Sequence, residues 1–183
     1  EQRVFNGVMA RSPDLFFWLG DNVYADSTSG YAIAEEYRRG RGDENLQPLI
    51  RSIPQLAVWD DHDFGSNNSD ASIPMRDDSL AVFKNYWANP AYGLPDAPGV
   101  FFDFSYGGVD FFFLDGRYYR DPNSAPDGPS KTLLGTRQKQ LFVELSWVGA
   151  GHLRLLHRGA RWILRCSRVR RHLSIALQAV LQI

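Results

Sequence analysis

An α/β fold is predicted by three features of this 183-residue chain. Two short apolar runs, Leu15 to Leu19 and Leu56 to Trp59, read as strands buried on both faces. Stretches with apolar residues at helical spacing lie between and after them. Two further apolar and aromatic runs, Val100 to Tyr106 and Val109 to Asp115, flank Gly107-Gly108 and predict a β-hairpin.

In chain order, the first strand is stopped by Gly20, and Ser27 to Gly30 offer N-caps to a helix over about 31–39. Asp43 is placed to cap a short helix through Ile50, with Pro48 inside it. The second strand runs directly into Asp60-Asp61-His62-Asp63. Residues 65–75, rich in Gly, Ser, Asn and Asp, read as a loop. Asp77-Asp78 then open a helix to about Trp87, with Leu80, Phe83 and Trp87 on one face and acidic residues where the helix dipole favours them. After the hairpin, residues 116–135 form a long loop with three prolines, and Thr136 caps a helix that buries Leu141, Phe142 and Leu145.

Composition narrows the function. With 44% hydrophobic and 22% charged residues the chain is neither disordered nor fibrous. No apolar run reaches the length of a transmembrane helix, and no signal peptide is visible. A single cysteine, Cys166, excludes an internal disulfide framework and a thiolate zinc cluster. Neither a Gly-x-Ser-x-Gly elbow nor a Gly-rich loop with Lys is present. Charge is asymmetric: residues 1–146 carry 10 Arg, 3 Lys and 21 acids, whereas 147–183 carry 7 Arg and no acid. Sixteen of the acids are Asp, which favours loops and hard-cation sites; a solvated acidic surface is the plainer reading.

Both strands end in acid-bearing segments, Gly20-Asp21-Asn22-Val23-Tyr24 and Asp60-Asp61-His62-Asp63. Ligands of α/β sheets bind beyond the carboxyl ends of parallel strands. If the two strands are neighbours, Asp21 and Asp61 share one crevice with a phenol and an imidazole, a set suited to hard or borderline metal ions. The alternative for Gly20-Asp21-Asn22 is a tight turn. Four consecutive polar, mostly acidic residues at 60–63 repel one another unless cations or donors offset them.

Pro13 to Asp26 resembles a motif of the alkaline phosphatase D (PhoD-like) metallophosphatases, and Trp59 to Gly65 with Asn67 resembles the next. Further matches are Val82 to Trp87, Gly99 to Tyr106, Phe112 to Asp115 with Arg117, and Leu134-Gly135 with Gln138. The resemblance runs in order over 4–146. It implies a metallophosphoesterase-like two-sheet sandwich flanked by helices, hydrolysis of phosphate mono- or diesters, and a centre of iron and calcium. It implies that Asp21 bridges the metals, Tyr24 binds iron, Asp61 is a further ligand and His62 stabilises or protonates the transition state. Asn67 is a ligand or a loop-turn residue. Arg117 reaches a phosphate or pairs with Asp115 or another nearby acid. A periplasmic or secreted location also follows from the resemblance.

The family's first strand, with its metal-binding Cys, and its later Asp and His motifs have no counterpart here, so an incomplete domain with impaired activity is expected. Residues 147–183 then read as a basic tail unrelated to the family. A frameshifted continuation, an edge helix and an amphipathic basic helix for nucleic acid or membrane are the three accounts of it. His152, His157 and His172 in this segment read as incidental. Two other functions remain open: a non-catalytic calcium-binding fragment, and a nucleic-acid or membrane binder acting through 147–183. No specific protein partner is expected.

Overall fold

The computed structural model describes residues 3–147, 153–158, 161–165 and 175–177. A one-and-a-half-turn helix α1 (Val4–Met9) precedes strand β1 (Leu15–Leu19), helices α2 (Gly30–Arg41) and α3 (Gln47–Ser52), and strand β2 (Gln55–Val58). Helix α4 (Asp61–Phe64) follows at once, then α5 (Arg76–Tyr86), and strands β3 (Gly93–Leu94), β4 (Ala97–Pro98), β5 (Phe102–Tyr106) and β6 (Val109–Phe113). Helix α6 (Thr136–Trp147) and strands β7 (Leu153–Arg158), β8 (Arg161–Arg165) and β9 (Ile175–Leu177) complete the order.

β1 and β2 are parallel neighbours, Phe16 opposite Gln55 through Leu19 opposite Val58. β9 pairs with the other edge of β1, giving the order β2-β1-β9. A second sheet has the order β5-β6-β7-β8. The two sheets meet through aromatic rings: Phe17 of β1 lies edge-on to Phe111 and Phe113 of β6, with centroids 5.0 and 5.1 Å apart. On its opposite face β1 presents Phe16 and Trp18 to Phe5 of α1, and Trp18 to Trp87 at the end of α5. Cover on both faces is why β1 is a continuous apolar run rather than an alternating one.

The hairpin forms as expected, with both Gly107 and Gly108 in the left-handed region (φ 60° and 80°) that a two-residue turn of this hand requires. Pro48 sits in the first turn of α3, where its missing N–H costs nothing, so that helix begins at Gln47 rather than at Asp43. On α6 the fully buried side chain is Gln138, whereas Leu141, Phe142 and Leu145 are only partly covered.

The segment beyond α6 departs most from expectation. Its described residues form strands, not a helix: β7 runs parallel to β6, Val109 opposite Leu153 through Phe112 opposite Leu156, and antiparallel to β8. β9 joins the first sheet, and β7 and β8 join the second. His157 lies in β7; Cys166, His152 and His172 lie outside the described residues.

Candidate metal centre

Gly20 and Asp21 turn the chain sharply as it leaves β1. Gly20 takes φ 103° and Asp21 φ 49°. A Cβ on Gly20 would stand 2.7 Å from the Cβ of Asp60 and 2.9 Å from its backbone nitrogen. The glycine therefore lets the ends of β1 and β2 close on each other. The tight turn read from the sequence thus forms, and it brings Asp21 to the end of β2. Ligand atoms of Asp21, Asp61 and His62 all lie within 4.8 Å of one another. The sequence reading required the two strands to be neighbours, and they are.

The four residues after β2 have separate tasks. Asp60 and Asp63 form a capping box on α4: the Asp63 Oδ2 accepts the Asp60 N–H at 2.9 Å. Asp63 Oδ1 accepts the Tyr37 hydroxyl and the Asn22 N–H, each at 2.9 Å. Burial first, and the Asp21 charge as well, push the Asp63 carboxyl up to about 7 against these donors. Asp61 accepts the Asn68 N–H at 2.6 Å and Arg117 Nη2 at 3.2 Å. The donors needed to offset four adjacent polar residues are thus built from the protein itself.

Arg117 supplies most of that offset. It is 8% exposed. Its Nε donates to Asp60, Nη1 to the Ser69 carbonyl and Nη2 to Asp61. Asp115, which the sequence offered as its partner, bonds only to the Arg117 backbone N–H; its carboxylate also accepts Trp59 Nε1, Val100 N–H and Tyr118 N–H. Asp115 thus fixes the loop from which Arg117 reaches across to the end of β2.

Asp21 is different. It is 6% exposed, yet its Oδ1 has no hydrogen-bond partner. Burial, then the Asp60 and Asp61 charges, push its carboxyl above the usual range, with His62 pulling it back. The Tyr24 phenol, 53% exposed, donates to Asp21 Oδ2 at 3.4 Å, and its ring lies against the His62 imidazole with centroids 4.4 Å apart. Burial and the Asp21 charge both raise the phenol's pKa. Asn67 is exposed at the start of a turn, and its neighbour Asn68, at φ 62°, makes the contact with Asp61.

Sequence reasoning missed Asp26. Its Oδ1 is 2.6 Å from His62 Nδ1, and its backbone is left-handed (φ 44°), which is costly for a residue other than Gly. Its place at the end of the Pro13 to Asp26 motif was the available signal; the 36-residue separation from His62 hid the pairing.

Residues 34–147 match the sequence profile of the PhoD-like phosphatase family. The chain belongs to this family. The matched stretch includes Asp61, His62, Asn67 and Arg117; Asp21, Tyr24 and Asp26 precede it. A solved structure described as "Structure of PhoD" superposes with a TM-score of 0.68 at 24% identity, covering 84% of this chain and 38% of that one. The superposition covers a larger share of this chain than the family match does, and the chain spans well under half the length of that PhoD. No curated protein sequence matches. Among the described residues of this PhoD-like chain, no helix is long and apolar enough to cross a membrane.

Proposed function

We propose that this PhoD-like chain carries part of the centre of a metal-dependent phosphatase that hydrolyses phosphate mono- or diesters. The observation that carries the reading is Asp21 Oδ1. A buried carboxylate oxygen with no donor, within 4.8 Å of ligand atoms on Asp61 and His62, fits a cation. Asp21, Asp61 and the Tyr24 phenol are hard oxygen donors suited to iron and calcium, the pair implied by the sequence resemblance. Tyr24 is the iron-side ligand in this reading. Its surroundings hold the phenol neutral, and a trivalent cation there would invert that preference. Asn67, exposed beside the Asp61 contact, is a peripheral ligand.

Metal ions bound there would polarise a phosphoryl oxygen and lower the pKa of a water molecule. The residues supply the rest. Asp21 and Asp61 fix the charge balance at rigid strand ends. Asp26 holds the His62 ring through Nδ1, leaving Nε2 to carry the proton given to the departing oxygen. Arg117 serves first as the internal counter-ion of Asp60 and Asp61 and contacts a phosphate only by releasing one of them. Periplasmic or secreted action on a small or polymeric phosphate ester belongs to the same proposal.

The test is hydrolysis of p-nitrophenyl phosphate by the full chain, with and without added iron and calcium and after chelation. Metal-restored turnover that falls roughly 10²–10⁴-fold in His62→Ala, with bound metal unchanged, supports the reading. Metal binding without turnover would favour the calcium-binding alternative. Full turnover in His62→Ala would remove His62 from the mechanism.

A further inference from the structure

Beside the acidic cluster lies a second polar feature. A cavity of about 30 Å³ is lined by Trp18, Asn22, Tyr37, Arg41 and Trp87, among apolar neighbours. Three buried polar atoms on that lining have no partner: Asn22 Oδ1, Arg41 Nε and Trp87 Nε1. The Asn22 amide cannot be turned to relieve this, because its Nδ2 already donates to the Val58 carbonyl at 2.8 Å. Arg41 is anchored by its Nη2 on the Tyr86 carbonyl and lies over the Trp87 ring, 4.5 Å from the centroid. The Trp87 indole and the Asn22 amide both counter the rise that burial imposes on the Tyr37 hydroxyl's pKa.

The chemistry of the three atoms selects the ligand. Two are N–H donors and one is a carbonyl acceptor. A halide or other small anion would satisfy the donors and leave Asn22 Oδ1 facing negative charge. An ammonium would do the reverse. A water molecule accepts from Arg41 and Trp87 and donates to Asn22, making the three bonds usual for an internal water, and the volume admits one. We propose that this cavity binds a resident water molecule, which joins the end of α2 and the end of α5 to the residue next to Asp21. That water would hold the Asn22 side chain through Oδ1 while Nδ2 holds the Val58 carbonyl, beside the Asp21 turn.

The test is a crystal structure of the full chain, with a parallel bromide soak. The proposal predicts one density peak within about 2.7–3.2 Å of all three atoms, with no anomalous signal after bromide. In solution, the Trp87 indole N–H should show a cross-relaxation peak to a long-lived water. An anomalous bromide peak at Arg41 and Trp87, an empty or collapsed cavity, or an indole with no water contact would each overturn it. None of these outcomes depends on whether metal binds at Asp21.

Discussion

The acid clusters at the ends of β1 and β2 are alike in sequence and opposite in state. At the end of β2, Asp63 has three donors, and Asp60 and Asp61 share Arg117. At the end of β1, Asp21 is also buried but keeps an oxygen without a donor. Burying a carboxylate costs several kcal/mol unless it is paired. The β2 cluster supplies donors from the protein to each of its carboxylates, although burial still raises Asp63 to about 7, whereas Asp21 in the β1 cluster keeps an oxygen with none. The acidic residues of this crevice thus divide into Asp60 and Asp63, whose carboxylates are satisfied by the protein, and Asp21, whose Oδ1 is not and which the proposed function gives to a metal ion, with Asp61 between the two.

The comparison breaks most visibly at Asp63. Asp63→Ala strands the Tyr37 hydroxyl and two backbone N–H groups, and should cost about 4 kcal/mol of unfolding free energy, read by denaturant titration. Gly20→Ala should follow, at about 3 kcal/mol, because the new Cβ meets Asp60 and the backbone is left-handed. It should also weaken metal binding by pushing the two strand ends apart.

Acidity gives a smaller, graded effect. The Asp63 carboxyl is raised to about 7, so the folded state binds a proton more tightly than the unfolded state. Its contribution is therefore fully present below about pH 4, the unfolded value, and lost as pH rises through 7. Asp21, also raised, adds in the same direction. The metal-free chain should show a denaturation midpoint that falls between pH 5 and pH 8, and Asp63→Asn should flatten that slope. Asn67→Ala should do least. The residue is exposed, and stability should move by less than about 0.5 kcal/mol, with a modest loss of metal affinity if its side chain is a peripheral ligand.

Much of this was legible in the sequence, for reasons that particular residues make plain. β1 and β2 are apolar throughout because both faces are covered, and α5 shows its face through Leu80, Phe83 and Trp87. The meeting of Asp21 and Asp61 followed once those strands were parallel neighbours. Other features depend on contacts between distant residues. The Asp26–His62 pair and the Arg117 bridge span 36 and 56–57 residues, and no local pattern encodes them. Gly20 reads as a stop signal, whereas its need arises from Asp60 across the crevice. In β7, Arg154 and Arg158 fit a helical step of four, yet Leu153-Arg154-Leu155 fits the alternation of a strand, and pairing with β6 decides between the two.

The most direct measurement is calorimetric titration of iron and calcium into Asp21→Asn and Asp63→Asn, alongside their denaturation midpoints. The account predicts opposite outcomes. Asp21→Asn should lose metal affinity by about 100-fold or more while keeping or gaining stability, since it removes a buried charge held only by a ligand. Asp63→Asn should change stability and its pH dependence while retaining metal binding. If Asp21→Asn binds metal normally, or if both variants lose metal and stability together, the division between a structural cluster and a ligand cluster is wrong.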